Sequence, residues 1–521
     1  MSQMLKSSGA LATATLTSRI LGMVREIVYA RFMGDGTVAS AFKLAFQIPN
    51  LFRRLLGEGA LSAAFIPIFK VKERTEGEHE MWRSANAVIS AMVVAASAII
   101  ALIMLGLSLL LAVHDFEANT RLMLLLLRIM FPYMLVICLT AIFMGMLNAR
   151  GHFFIPAAGA LVLNFVMIAS VLFLAPRLGR NLDQQIFGLA IGVLIAGVAQ
   201  AAFQLPTLRR EGFRYRWVTP WRDETVREVV IKMVPGALGV AAFQVNVLFT
   251  NGMAFWVDPQ IVASFDYAVR LMEVPQGVFG ISLATYLLPT LAGLAAEKNY
   301  PEFRATLRQG LSYLVFVNLI ASVLLVVLAE PIVRLIFEHG KFDAGSTRRA
   351  SFALTCLAPG LVAFSMVNVL ARAFYALGDT QTPMKISVVC LALNLVFALW
   401  LILPFRQGGL GIANSLTSAC NVGLLLYALR RKLSRLDLSP LIQTLPAKSG
   451  SAMTAGLVCW AAWRYWENSV GHTGLPARLG AVFVPMTLAG LIYWGITFSL
   501  QVPAAREIAL TVWQRLRPGS G

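Results

Sequence analysis

The sequence predicts an all-α polytopic membrane protein of about fourteen transmembrane helices, in two six-helix lobes related by a parallel internal repeat plus two C-terminal helices. Three observations carry this. Of 521 residues, 58% are hydrophobic and only 13% charged, with a mean hydropathy of +0.71, so most of the solvent around this chain is lipid. Apolar runs of about 20 residues, enough to cross a bilayer core roughly 30 Å thick, recur from one end to the other. Basic residues gather in alternate loops between those runs. A membrane barrel would show alternating segments of about 10 residues. Ala87–Val113 is instead uncharged throughout and almost wholly apolar.

Apolar runs broken by charge, Gly or Pro place helices near 8–33, 37–69, 84–113, 120–148, 154–175, 185–208, 226–256, 260–292, 304–329, 347–376, 384–404, 409–431, 447–466 and 476–501. The first stretch lacks the basic start, short apolar middle and small-residue cleavage site of a secretory signal, so it is expected to remain in the mature protein. The second and eighth exceed one crossing and contain Pro49, Pro67, Pro275 and Pro289, where kinks or breaks are expected. Loops with Lys70, Lys72 and Arg74, then Arg209, Arg210, Arg214 and Arg216, then Arg430, Arg431, Lys432 and Arg435 form the positive-inside pattern and place those loops and both termini in the cytoplasm. The alternate loops around Asp35, around His114, Asp115 and Glu117, and around Asp258 are poorer in Lys and Arg, as outward loops should be. The net charge of +18 is therefore a topology signal, and no nucleic-acid partner is expected.

A shift of 227 residues lays Phe131–Pro156 over Ala358–Pro383 without a gap, matching Pro132 with Pro359, Ala149 with Ala376, Gly151 with Gly378 and Pro156 with Pro383. A shift of 224 brings Val38, Ala39 and Ser40 onto Val262, Ala263 and Ser264, and Pro49 close to Pro275. Six helices separate the copies, an even number, so both copies share one membrane orientation. The expected organisation is an N-terminal lobe at 1–208, a cytoplasmic linker at 209–225, a C-terminal lobe at 226–432, and two extra helices with a tail at 433–521. The two lobes should face each other across a central space.

Enzyme signatures are absent. Cys138, Cys356, Cys390, Cys420 and Cys459 each sit alone in an apolar stretch, which supports neither a disulfide framework nor a metal site. There is no GxxxxGK[ST] phosphate loop and no HExxH, so no cofactor or metal is expected. His339 lies near two carboxylates in FEHGKFD, Phe337–Asp343, but at an outward helix end this reads as a gate or loop.

The informative residues are charges that hydropathy disfavours: Arg19 and Arg25 on the first helix, Arg53 and Arg54 on the second, Arg270 on the eighth and Arg372 on the tenth. An arginine near the bilayer centre costs roughly 2.5–3.5 kcal/mol on insertion scales, so these need partners or a wet cavity. Arg19 and Arg25, six residues apart, are separated by about 9 Å along the helix and about 240° around it, and need not share a face. The competing account pairs each locally: Arg25 with Glu26 or Glu58, Arg270 with Asp266 four residues earlier, or by snorkelling to headgroups. A cationic chamber wants an anion, and the planar guanidinium fork suits a phosphate or pyrophosphate.

The segments SRILGMVRE, IPNLFRRLLGEGALSAAFIPIF, LNARGHFFIPA, DYAVRLMEVPQGVFG, LIFEHGKFD and RAFYALGDTQTPMK, in that order between residues 18 and 385, resemble the MurJ (MviN) family of lipid II flippases. That family belongs to the multidrug/oligosaccharidyl-lipid/polysaccharide exporter superfamily. The resemblance implies outward transport of lipid II, the undecaprenyl-pyrophosphate-linked peptidoglycan precursor, across a bacterial cytoplasmic (inner) membrane. It implies that Arg19, Arg25, Arg53 and Arg270 are substrate-binding cavity arginines, that Glu58 and Glu273 support them, with Arg54 and Asp266 as further supporting or gating candidates, and that the last two helices form a groove for the polyprenyl tail. Membrane lipids are the other expected partners, with cell-wall synthesis proteins as further candidates. Two positions depart from the family pattern: Ser40 stands where relatives often carry an acid, with Lys43 and Gln47 following, and Val269 stands where an acid often precedes the arginine, with Asp266 one turn earlier as its substitute. Gly57, Gly59, Pro49 and Pro275 are candidate hinges. A drug/cation antiporter of the same superfamily, a flippase for another lipid-linked oligosaccharide, and a non-transporting scaffold remain as alternatives.

Overall fold

The structure is a computed structural model that describes residues 2–55, 61–433 and 436–508. Among these residues there is no strand, which is what a lipid solvent dictates: helices satisfy every backbone N–H and C=O within one segment. Contacts divide the chain into two compact units, Met1–Ala263 and Ser264–Gly521.

The first unit contains α1 (Ser2–Met33), α2 (Thr37–Leu55), α3 (Leu61–Thr75), α4 (Gly77–Val113), α5 (Ala118–Met130), α6 (Tyr133–Ala149), α7 (Phe154–Ala169), α8 (Leu182–Arg210) and α9 (Glu224–Val257). The next helix, α10 (Gln260–Pro275), begins in the first unit and continues into the second. The second unit then contains α11 (Ser282–Ala296), α12 (Tyr300–Val327), the short α13 (Ala329–Phe337), α14 (Ala344–Leu357), α15 (Leu361–Ala376), α16 (Gln381–Phe405), α17 (Gln407–Lys432), α18 (Ser439–Ser469) and α19 (Leu475–Ser499). A helix, or a broken pair, occupies each of the predicted stretches. Nine are long and apolar enough to cross a membrane among the described residues, ten if the pair α5 and α6, bent by 44°, is one span, which is compatible with fourteen crossings. The helices α1 and α2 fall outside that group, and they carry Arg19, Arg25, Arg53 and Arg54, whereas Arg270 and Arg372 lie on helices within it.

Two of the breaks lie at prolines, which remove a donor. The bend between α5 and α6 sits at Pro132, and the eighth stretch passes into a π-helical turn, Gln276–Ile281, directly after Pro275. Pro49, Pro67 and Pro289, named with Pro275 as expected kinks or breaks, lie inside α2, α3 and α11, which continue past them. The candidate hinges Gly57 and Gly59 lie outside the described residues.

Each unit has its own core. In the first, Phe65, Phe69, Met81, Ile142 and Met146 join α3, α4 and α6, and Val229 brings α9 onto them. Thr225 of α9 bonds Ser84 of α4 at 3.3 Å, and Asn251 of α9 donates to Gln47 of α2 at 2.8 Å. In the second, Leu287, Phe303, Leu307, Leu370 and Leu429 join α11, α12, α15 and α17.

The repeat is visible as local geometry. With the 227-residue shift, α7 starting at Phe154 corresponds to α16 starting at Gln381. Both preceding helices end in a left-handed glycine, Gly151 (φ 87°) and Gly378 (φ 72°), a conformation that L side chains rarely adopt. The closing bonds correspond too: Gly151 N–H donates to Asn148 and His152 N–H to Leu147, as Gly378 N–H does to Tyr375 and Asp379 N–H to Phe374.

Each turn is then tied to the end of a later helix. In the first unit Arg150 bonds Glu73, Glu78 (3.0 Å) and Glu211 (2.8 Å), and His152 meets Glu211 at 2.9 Å. In the second, Asp379 accepts from Lys432 at 2.5 Å and from Thr382 N–H at 3.0 Å. The Lys432 ammonium foremost, and then the Thr382 N–H, pull the Asp379 carboxyl down to about 2. A depressed carboxyl stabilises the fold above its unfolded value of roughly 3.9, and that contribution disappears as pH falls through the folded value. The detergent-purified protein should therefore melt above its Asp379→Asn variant at pH 5–7, with the gap closing as pH approaches about 2. A gap that persists unchanged at the acid end would reject this assignment.

Candidate functional site

In the first unit the site is built on α1. Arg25 is held from two sides: NH1 donates to Asn164 Oδ1 of α7 at 2.9 Å, and NH2 to the neighbouring Glu26 Oε1 at 2.7 Å. Asn164 also donates to the Ser18 carbonyl at 3.4 Å, so one amide fixes α1 two turns apart. Glu26 is shared, with Lys43 Nζ of α2 lying 3.7 Å from its other oxygen. The Glu26 side chain is 5% exposed and that of Arg25 is 17%, so this ion pair sits at the edge of a buried region where electrostatic interactions are strong. Beneath it, Tyr29, Phe42, Phe46 and Tyr133 form a chain of ring contacts linking α1, α2 and α6, and the Arg25 guanidinium carbon lies 5.5 Å from the Tyr29 ring centre. That packing sets the position of the arginine.

Farther along α2, Arg53 Nε donates to Asn50 Oδ1 at 2.9 Å, an i to i−3 bond that fixes the plane of the guanidinium. Arg54 lies on the same helix, but its side chain is outside the described residues, and so is Glu58 entirely. Arg19 is on an exposed face of α1 and takes no ion pair among the described residues. Ser40, fully buried, accepts from the Ala263 N–H at 3.0 Å. This satisfies one of the orphan donors in the first turn of α10.

In the second unit Arg270 lies on α10 between two carboxylates, Glu273 at 3.0 Å and Asp266 at 3.9 Å, spaced three and four residues away on one helical face. Its side chain is 34% exposed. Asp266 thus stands beside the arginine where Val269 offers no charge. Arg372 has a different role: its NH1 donates to the Ile281 carbonyl at 3.1 Å, at the end of the π turn, where α-helical bonding is interrupted. Local pairing therefore applies to Arg25 with Glu26, and to Arg270 with Asp266 and Glu273.

The FEHGKFD segment is committed to structure. Asp343 caps α14 by accepting from Ser346 N–H at 2.7 Å, which holds its carboxyl below the usual range, and Glu338 accepts from Thr347 at 2.7 Å. Both carboxylates thus serve to fasten the start of α14.

Sequence reasoning missed Asn164 and Lys43 as partners. The signal for Asn164 was there: a lone amide in the apolar run GALVLNFVMIA of α7 needs a polar partner. In each unit taken by itself, guanidinium groups are fixed on their helices by hydrogen bonds, and a guanidinium's planar fork is chemically able to meet a pair of carboxylate or phosphate oxygens.

A sequence model described as "Lipid II flippase MurJ" matches residues 29–478. The "Probable lipid II flippase MurJ" of Vibrio cholerae serotype O1 is 31% identical over 505 residues, covering 91% of this chain and 93% of that protein. The "Lipid II flippase MurJ" of Burkholderia cenocepacia is 30% identical over 495 residues, covering 92% and 94%. Among solved structures, "Lipid II flippase MurJ, inward closed conformation" superposes with a TM-score of 0.76 at 21% identity, covering 94% of this chain and 97% of that one. An inward-facing multidrug resistance MATE transporter of the MOP superfamily superposes at 0.65 with 15% identity, covering 81% and 98%, a likeness of fold alone. The chain is a multi-pass membrane transporter rather than an enzyme, and it belongs to the lipid II flippase MurJ family.

Proposed function

We propose that the chain translocates lipid II from the inner to the outer leaflet of a bacterial cytoplasmic membrane, supplying peptidoglycan synthesis, with both termini in the cytoplasm. The observation that carries this reading is Arg25, a guanidinium placed on a membrane helix by Asn164 and balanced by Glu26 at 2.7 Å. Arg25 and Arg53 of the first unit and Arg270 of the second are assigned to the pyrophosphate, with Arg19 on the path it follows. Glu273, Asp266, Glu58 and Arg54 support or gate them.

The carboxylates act as resident counter-ions. Without substrate, Glu26 neutralises Arg25, and Asp266 and Glu273 neutralise Arg270. An arriving diphosphate takes over those guanidinium groups, which offsets its desolvation. Lys43, 3.7 Å from Glu26, remains to hold the released carboxylate. The repeat-related halves, 1–208 and 226–432, then alternate access to the two leaflets, while the polyprenyl tail stays in lipid beside the helices of 433–521. An inside-negative potential favours outward movement of the anionic headgroup by roughly 2.3 kcal/mol per charge per 100 mV.

The test is the in-cell accessibility of outer-leaflet lipid II after rapid inactivation of this protein. Accessible lipid II should fall while total lipid II rises. Unchanged accessibility would exclude the proposal, and a fall restricted to another polyprenyl-linked glycan would reassign the substrate.

A further inference from the structure

The first unit holds a cavity of about 740 Å³ that the transport reading does not use. Its apolar walls are Ile89 and Val93 of α4, Leu139 of α6 and Leu205 of α8, and Arg209 and Arg214 stand exposed at its rim. The volume falls within the roughly 300–1,000 Å³ range of small-molecule sites.

The rim is a fixed structure. At the end of α8, Gly212 (φ 90°) turns the chain, and Phe213 packs its ring 5.6 Å from Trp82 and 6.1 Å from Phe143. The following strand of chain is fastened to α4 by buried polar groups: Asn86 donates to the Arg214 carbonyl at 3.0 Å, and Ser90 meets the Tyr215 hydroxyl at 3.2 Å and accepts from Val218 N–H at 3.4 Å. Two polar side chains buried in a membrane helix thus hold the backbone of a basic loop over an apolar trench. On α4, Val93 lies ten residues beyond the charged Arg83. At about 1.5 Å per residue the trench reaches roughly 15 Å below the charged level, half of a hydrocarbon core of about 30 Å. That is the depth of one leaflet.

We propose that this cavity binds an anionic phospholipid of the cytoplasmic leaflet, with its phosphate between Arg209 and Arg214 and one acyl chain in the trench between α4, α6 and α8. Charge complementarity selects the occupant. An acyl chain gains little by leaving bulk lipid for an apolar wall, so discrimination falls to the headgroup. Basic pockets beside membrane helices on the cytoplasmic side favour anionic lipid headgroups. The site does not depend on which lipid-linked glycan the protein transports.

The test is photolabelling of the full-length protein in nanodiscs by phosphatidylglycerol with a diazirine in its acyl chain, with the labelled peptides mapped. Label should fall on Leu139 and its neighbours, and Arg209→Gln with Arg214→Gln should lower it at least fivefold. Arg210 and Arg216 remain to preserve topology. Leu139→Trp, which fills the trench and keeps both arginines, should lower it equally. A diazirine phosphatidylcholine should label this site weakly, with no response to the arginine changes. Equal labelling by the two lipids, or labelling that survives both variants, overturns the proposal. Competition by soluble glycerol phosphate would identify a site for free phosphate esters instead. Stronger competition by polyprenyl pyrophosphate than by phosphatidylglycerol would give the trench to the substrate tail. Either result also overturns it.

Discussion

Replacing Arg25, Arg53 and Arg270 together by Ala should abolish lipid II translocation while leaving the protein in the membrane at its normal level. A hydrogen bond to a charged group contributes roughly 1.5–3 kcal/mol, and about 1.4 kcal/mol is tenfold, so each lost contact weakens the bound state by roughly ten- to hundredfold. Three such losses remove any useful affinity for a diphosphate. The fold should survive, because none of the three side chains is fully buried and Glu26 keeps Lys43 nearby when Arg25 is gone. Arg25→Lys separates charge from shape: it keeps the positive charge but loses the fork that spans Asn164 and Glu26, so transport should fall to an intermediate level. Both variants are assayed by outer-leaflet lipid II accessibility in cells depleted of the native protein. Wild-type transport by a well-expressed triple alanine variant would leave the guanidinium reading without support.

The fold was legible because lipid leaves few choices. A chain with apolar stretches such as Ala87–Val113 has to make helices, and Pro275 marks where α bonding ends, whereas the bend at Pro132 falls inside a stretch read as one continuous helix. Half of the repeat was legible for the same reason: Gly151 and Gly378 are required by one backbone turn, and backbone requirements leave identities in the sequence. The other half was not. The two turns are tied down with reversed charges, Arg150 and His152 to Glu211 in one unit and Asp379 to Lys432 in the other, so the device is preserved and no residue matches.

The candidate site divides in a similar way. The Arg270 arrangement can be read from helical spacing alone, since Asp266 and Glu273 fall on the same face. The Arg25 arrangement cannot, because Asn164 is 139 residues away and reaches it only once α1 and α7 are packed together. For Arg372, the deciding partner is the Ile281 carbonyl, which the chain exposes only because the eighth stretch departs from α geometry after Pro275. A residue list from sequence identifies which charges need an explanation. It does not say which of them are already satisfied by the backbone.

Gly409→Ala should be the most damaging single methyl group in the second unit. The helices α16 and α17 are joined at Arg406, whose φ of 48° reverses the chain, and Gly409 then lies against the last turns of α16. A Cβ at 409 would stand 2.1 Å from the Leu401 carbonyl oxygen, 2.5 Å from its carbon and 3.0 Å from the Ile402 nitrogen. These are backbone atoms within a helix, so no rotamer change relieves the contact and the two helices must separate. Overpacking costs about 1–3 kcal/mol even where side chains can adjust. Here the effect should lie at or above the top of that range, against a total stability of roughly 5–15 kcal/mol for a typical fold. Close backbone approach through small residues is how membrane helices gain packing energy without a hydrophobic driving force, so their separation also forfeits that energy. Gly423→Ala, on the same α17 with nothing within 4 Å of its Cβ, supplies the control and should be neutral or slightly stabilising. The comparison is read as the fraction of each protein that stays monodisperse in detergent after a heating series. If the 409 variant withstood heating as well as the 423 variant, the tight α16–α17 hairpin would not be a stability determinant of this unit.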